Sequence, residues 1–288
     1  MAQRVGMEHL GPFSYQGSRF LLGAAALIPV VLLRRRSTAA AGAARRHERP
    51  GSARRSPGLL RDGLIAGLLL FAGSSLQQLG LQFTTAGNAG FITGFYVVLV
   101  PLLGVFLGHA SSGRRWLGAG LALLGLYFLA VRGGLQPQRG DLLIVACAVF
   151  FALHVLLLAR IAPRHSPAEL ALLQYLVTAV LSLALAGGLE ELDFSRILRS
   201  WLPVAYGGLM SVGVAYSLQI VGQRRAHPTH AAIILSLEGV FAALGGWMLL
   251  GEVLTPRELL GAALLLGAML VSQGIIRLPG RHPAARPQ

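Results

Sequence analysis

Residues Gln77–Leu107 read QQLGLQFTTAGNAGFITGFYVVLVPLLGVFL, and residues Gln219–Leu249 read QIVGQRRAHPTHAAIILSLEGVFAALGGWML. Laid over one another at a shift of 142, Gln77, Gly80, Ala89, Ile92, Val98, Gly104 and Leu107 fall on Gln219, Gly222, Ala231, Ile234, Val240, Gly246 and Leu249. One residue later in register, Leu117-Gly118-Ala119 falls on Leu260-Gly261-Ala262. The chain therefore contains its own copy, and both copies are largely apolar.

What such a repeat builds depends on how many times the chain crosses a bilayer. A helix needs about 20 apolar residues to do so, with a range of ~17–25. That ruler predicts nine transmembrane helices, at about Gly17–Leu33, Gly63–Phe83, Asn88–Gly108, Trp116–Val131, Gly140–Ala159, Ala168–Gly187, Leu202–Gly222, Pro228–Leu250 and Pro256–Ile276. Arg34–Gly58, rich in Arg, Ala, Ser and Pro, reads as a disordered cytoplasmic loop. Asp193–Ser200 reads as a short interfacial helix.

Spans two to four thus match spans seven to nine. The offset is an odd number of helices, so the copies point in opposite directions across the bilayer. Inverted repeats of this kind are typical of secondary transporters, whose substrate site lies at the repeat interface near the midplane. The first span matches the sixth at a shift of 155, which sets Pro12 on Pro167 and Arg19 on Gln174. The fifth span has no partner. The expectation is an all-α, polytopic membrane protein on a ten-helix, five-plus-five inverted plan. On that plan the first helix is missing, through a misplaced start or a truncation. The first repeat then occupies residues 1–139, and the second occupies residues 140–288 with a short cytoplasmic tail.

Composition agrees. Of 288 residues 54% are hydrophobic and only 12% charged, where a soluble domain carries about 25% charged residues. The net charge of +14 would suggest nucleic acid in a soluble protein. Here every basic residue is arginine, and the arginines lie in short segments between apolar runs, which argues against nucleic acid. Cys147 is the single cysteine, so no intrachain disulfide or thiolate cluster can form. The first apolar run ends in Arg34, Arg35 and Arg36 instead of a small-residue cleavage site, so it reads as a span.

The order and spacing of several motifs resemble the EamA-type family of the drug/metabolite transporter superfamily. Gly80 to Gly94 resembles its third-to-fourth helix junction. Ser236-Leu237-Glu238 with Gly246-Trp247 and Gly251-Glu252 resembles its ninth helix, and Ser18-Arg19-Phe20-Leu21-Leu22 resembles the start of its second. The similarity runs from about Leu10 to Ile275. Gly239 stands where the family often has proline, so a kink there needs another cause. The resemblance implies a bacterial inner-membrane carrier with both termini inside that moves amino acids, other metabolites or drugs.

Ionisable groups inside spans cost about 2.5–3.5 kcal/mol on insertion scales and so need a reason. Glu238 is the carboxylate that falls near the midplane, about 15 Å into the eighth span. A carboxyl there suits proton or cation binding, and an interhelical hydrogen bond is the structural alternative. Tyr96 aligns with Glu238 in the repeat and is expected to face the same cavity. Tyr216, Gln219 and Gln223 form a stripe on the seventh span; their repeat partners in the second are Ser74, Gln77 and Leu81, with Gln78 adjacent, and the two stripes could face each other across a central cavity. Such stripes could hydrogen-bond a substrate or simply bind neighbouring helices. Asn88 fits a cavity group or a helix cap. His154 fits a titrating group or a hydrogen-bonded structural histidine. His227 and His230 fit a basic vestibule or helix-end anchors. Arg19, near the outer end of its span, fits snorkelling or anion attraction. Glu252 reads as a helix-end residue, and Gly118, Gly245, Gly246, Gly261 and Gly267 read as sites of close helix packing.

The function expected is secondary transport of a small metabolite, amino acid or drug, with protons as a coupling ion. The partners are the lipid bilayer and a small-molecule substrate, and a homodimer is compatible. No cofactor or metal is called for. A membrane-embedded enzyme or a non-transporting fragment is the alternative. The enzyme reading lacks an intramembrane carboxylate pair, an HExxH-type spacing or a serine–histidine constellation.

Orientation is testable at once. One face holds Arg34, Arg35, Arg36, Arg45, Arg46, Arg49, Arg54, Arg55, Arg61, Arg114, Arg115, Arg160, Arg164, Arg224, Arg225, Arg277, Arg281 and Arg286. The other holds Arg4, Arg19, Arg132, Arg139, Arg196, Arg199 and Arg257, a split of 18 to 7. The arginine-rich face is cytoplasmic by the positive-inside rule. A reporter fused after Gln288 should register as cytoplasmic, and one placed in residues 133–138 as external. A periplasmic signal from the C-terminal fusion would reverse the assignment.

Overall fold

The computed structural model of the chain describes residues 6–7, 9–44, 58–108, 112–131, 138–190, 194–250, 253 and 255–275. Every regular element among them is helical: α1 (Pro12–Ala44), α2 (Leu59–Leu81), α3 (Ala86–Gly94), α4 (Tyr96–Phe106), α5 (Gly113–Ala130), α6 (Asp141–Ile161) and α7 (Pro167–Leu189), followed by α8 (Phe194–Arg199) and α9 (Trp201–Ala205). A π-helical segment, Tyr206–Tyr216, leads into α10 (Ser217–Gln223), α11 (Pro228–Leu235), α12 (Glu238–Leu250) and α13 (Pro256–Gln273).

Seven of the nine expected spans are helical stretches long and apolar enough to cross a membrane. The fourth and ninth are the 18-residue helices α5 and α13. The expected interfacial helix is α8. Helix α1, however, runs on to Ala44, so the first part of the segment expected to be disordered is helical. Alanine is the strongest helix former, and five alanines between Ala39 and Ala44 carry the helix beyond the apolar run. Residues 45–57 of that loop, Gly251, Glu252 and the C-terminal tail lie outside the described residues.

Repeat-equivalent helices pack against each other. Phe20 and Tyr175, equivalent at the 155 shift, meet with ring centroids 6.0 Å apart where α1 crosses α7. In the α5–α13 pair, a Cβ on Gly118 would stand 2.9 Å from Ser272 Cβ and 3.1 Å from the Ala268 carbonyl oxygen. One on Gly261 would stand 2.8 Å from the Gly125 carbonyl oxygen. At the 143 shift Gly118 maps to Gly261 and Gly125 to Ala268, so the two contacts are one contact applied twice. That reciprocity is the mark of two-fold packing.

Side chains tie the ends. Glu190, just past α7, accepts from Phe13 N (2.8 Å), Ser14 N (2.8 Å) and Ser14 Oγ (2.6 Å), meeting the unpaired amides of the α1 N-terminus with a negative charge. Thr255 and Glu258 form a reciprocal capping box at the start of α13, which gives the buried Glu258 carboxylate its donors. His165 Nε2 lies 2.8 Å from Asp62 Oδ2, joining the α6–α7 connection to α2.

Close packing is thus required at Gly118 and Gly261. Among the described residues a Cβ on Gly245 or Gly267 would meet nothing within 4 Å, so there these two glycines do not mediate the close packing expected of them. The surroundings of Gly246 lie outside the described residues. Gly261→Ala should therefore lower stability by roughly 1–3 kcal/mol through overpacking against backbone, while Gly267→Ala should be near neutral. Thermal unfolding in detergent measures both, and equal effects would refute the asymmetry.

Candidate functional site

Spans three and eight are each expected as one helix, and each is instead interrupted. The first break falls at Phe95, between α3 and α4. The second falls at Ser236–Leu237, between α11 and α12. Phe95 and Leu237 are equivalent at the 142 shift. At the first break Phe95 N donates to the Ile92 carbonyl (3.1 Å), and Val98 N to that of Phe95 (2.9 Å). At the second, Leu237 N donates to Ile234 O (3.1 Å) and Gly239 N to Ser236 O (3.2 Å). Both turns tighten to i→i+3 bonding. Ser236 Oγ also donates to the Ile233 carbonyl at 2.7 Å. A hydroxyl competing for a helix carbonyl supplies the kink that proline would otherwise make. Gly239 has a separate reason to be small: a Cβ there would stand 2.9 Å from Leu129 Cδ2 of α5.

The residues that open the second half-helices are Tyr96 and Glu238. The Glu238 side chain is exposed, although many protein atoms lie around it. Tyr96 lies within electrostatic range of both Glu238 and Tyr216, and Tyr216 is also within range of Glu238, Arg19 and Cys147. The structure thus brings Tyr96, Tyr216 and Glu238 into one neighbourhood. On its α3 side the Cys147 thiol hydrogen-bonds Thr93. Gln77 Nε2 donates to Thr93 Oγ1 at 3.4 Å, so Gln77 ties α2 to α3.

The remaining expected residues separate. Gln219 is half-buried on α10. Gln78 and Gln223 are buried with neither amide atom hydrogen-bonded to protein. Buried amides of this kind are usually met by water. Asn88 is buried but is not the helix cap: Thr85 is, accepting from Asn88 N at 3.1 Å. His154 Nε2 lies 3.0 Å from Gln174 Oε1, between α6 and α7. His227 caps α11, its Nδ1 accepting from Thr229 N at 3.3 Å, and His230 Nε2 accepts from Arg115 Nε at 3.2 Å. No group of three or more His, Cys, Asp or Glu among the described residues is placed to hold a metal ion.

Arg19 departs most from expectation. It does not snorkel; only 1% of it is exposed. Its guanidinium carbon sits 5.4 Å from the Tyr15 ring centroid and 5.2 Å from that of Phe20. Thr93 and the hydroxyl of Ser236 carry no functional expectation from the sequence. A hydroxyl inside each apolar run, within three residues of the repeat-equivalent pair Tyr96 and Glu238, is the signal that points to them.

The sequence matches the family model of the EamA-like transporters over residues 1–131 and 138–273. An uncharacterized transporter of Archaeoglobus fulgidus is 35% identical over 269 residues, covering 93% of this chain and 79% of that one. The threonine/homoserine exporter RhtA of Escherichia coli is 27% identical over 163 residues, 54% of each chain, so the match spans about half of the exporter. The uncharacterized transporter YwfM of Bacillus subtilis is 29% identical over 203 residues, 66% of this chain and 67% of that one. A solved crystal structure 20% identical in sequence shares the fold, with a TM-score of 0.75 over 96% of this chain and 91% of its own.

The access of water to Glu238 can be probed by thiol chemistry, since the native Cys147 is wholly buried. Glu238→Cys should react with a water-soluble maleimide in membranes. Ala232→Cys, at a fully buried position six residues earlier, should not. Equal protection of the two would place Glu238 beyond the reach of water.

Proposed function

The chain belongs to the EamA-like transporter family, and from that premise we propose that it is a secondary carrier with Glu238 as its proton-binding group. Its cargo is a small metabolite, amino acid or drug, and its setting is the bacterial inner membrane with the C-terminus in the cytoplasm. It is a multi-pass membrane transporter by family and by its apolar helices; the cargo, the ion and the orientation are the proposal. In this reading the halves 1–139 and 140–288 are the moving units.

One observation carries the reading. Two helices are broken at repeat-equivalent positions, and the only carboxyl of the α11–α12 span among the described residues opens the second half of one of them. Broken helices at the centre of inverted repeats are where carriers bind substrate and ion, because the interrupted backbone frees polar groups beside a cavity. A carboxyl there can exchange a proton for a cationic group of the substrate as the site opens alternately to the two sides. Tyr96 and Tyr216 supply hydroxyls and apolar ring faces next to it. The exporter RhtA among the relatives puts small amino acids among the candidate cargoes. The arginine-rich loops support a cytoplasmic C-terminus.

The test is Glu238→Gln. Because the amide is close in shape to the protonated acid, thermal stability should stay near the parent's. Flux driven by a pH gradient in proteoliposomes should fall about tenfold or more, equivalent to ~1.4 kcal/mol of lost coupling. Unchanged gradient-driven flux would remove the proton-binding role, and so would a loss of flux matched by a loss of stability.

A further inference from the structure

We propose that Arg19 is the anchor for a substrate carboxylate, so that the cargo is a zwitterion held between Arg19 and Glu238. This deepens the carrier reading above and rests on it.

A guanidinium inside a bilayer-spanning helix, 1% exposed, needs an anion or hydrogen-bond acceptors to offset its lost hydration. Arg19 Nε and Nη2 have no hydrogen-bond partner among the described residues. Those two nitrogens are not a random pair. They form the side edge of the guanidinium, whose parallel N–H bonds match the two oxygens of a carboxylate. The Tyr15 side chain hydrogen-bonds the guanidinium, and the rings of Tyr15 and Phe20 flank the cation, which still leaves Nε and Nη2 without a partner among the described residues.

The protein's own groups do not fill the edge. The carboxylate docked at the start of α1, Glu190, accepts instead from Phe13 N, Ser14 N and Ser14 Oγ. The repeat-equivalent of Arg19 is Gln174, and that side chain is satisfied within the protein by His154 at 3.0 Å. One half of the inverted repeat thus closes its polar position internally. The other presents an unfilled, charged, carboxylate-shaped one.

Arg19 is linked to the proposed site through Phe20 and Tyr216. Tyr216 is within electrostatic range of both Arg19 and Glu238, and its ring centroid is 6.1 Å from that of Phe20. Along the membrane normal, Arg19 stands seven residues inside the outer end of α1, about 10 Å at 1.5 Å per residue. Glu238 stands ten residues from the cytoplasmic end of its span, about 15 Å deep. In a hydrocarbon core of ~30 Å the two differ in depth by roughly 5 Å. In the proposed complex a small α-amino acid puts its carboxylate on Arg19 and turns its ammonium towards Glu238. The guanidinium edge is covered in this conformation, so it opens to cargo in another state of the cycle. Because Glu238 would hold either the ammonium group or a proton, one carboxyl links cargo release to proton uptake.

The experiment uses the purified full chain in proteoliposomes and measures counterflow of small L-amino acids, L-threonine first. Each acid is compared with its amide, which lacks the carboxylate, and with its α-hydroxy acid, which lacks the ammonium. The parent should prefer the amino acid to the amide by about tenfold or more. Arg19→Gln should reduce that preference to about twofold or less. Arg19→Lys, which keeps the charge without the planar edge, should restore only part of it at near-parental thermal stability. Glu238→Gln should keep the acid-over-amide preference and lose the preference over the hydroxy acid. A parent that carries the amide as well as the acid overturns the proposal without any variant, as does an Arg19→Gln protein that retains the preference. Transport of amines or neutral compounds in place of carboxylates overturns it too, and leaves the carrier reading standing. Absence of flux for every compound overturns both.

Discussion

In hydrocarbon a backbone N–H or C=O that finds no partner costs several kcal/mol, and this single constraint arranges the molecule. It makes every regular element among the described residues a helix. It also limits where a helix can stop. The two interruptions within spans, at Phe95 and at Ser236–Leu237, occur where i→i+3 bonds and a serine hydroxyl take up the slack. At the ends of spans, Glu190 and the Thr255–Glu258 box do the same work with carboxylates. Wherever polar groups inside the spans lack protein partners, as on Arg19, Gln78 and Gln223, the same constraint points to water or to cargo.

The fold is legible in the sequence through two signals that survive any uncertainty over helix ends. Runs of about 20 apolar residues locate the spans, and the 142-residue shift gives their inverted relation. The pairing of α5 with α13 through Gly118 and Gly261 is legible because small residues recur at equivalent positions. Close packing at Gly125 is not, because it depends on a crossing point that no local pattern encodes. Gly245 and Gly267 carry the same small-residue signal and face open space.

The site is legible in part. Alignment of Tyr96 with Glu238 places both at one depth, and the structure sets both at the start of a half-helix. The stripe of Tyr216, Gln219 and Gln223 assumes a 3.6-residue period. Gln219 and Gln223 lie one turn apart on the same α-helix, Ser217–Gln223, yet Gln223 is buried while Gln219 stays half-buried, because burial depends on which helices pack around each turn and no period encodes that. Arg19 resembles a snorkelling residue in sequence because distance from a span end says nothing about which neighbours surround it. Its alignment with Gln174, a polar side chain inside a span, is the signal that it points inward.

The reciprocal glycine contacts have a consequence for energetics. A two-fold axis lying in the plane of a membrane exchanges inside with outside. A molecule that obeyed it perfectly would find its inward-open and outward-open shapes equal in energy. Here the helices obey the axis, but the residues beside it do not: a phenol on one half answers a carboxyl on the other, and a guanidinium answers an amide. In the carrier reading such a scaffold would leave the two orientations nearly level, and the unmatched side chains would tilt the balance between them. Direction, in such a design, is a property of side chains rather than of shape.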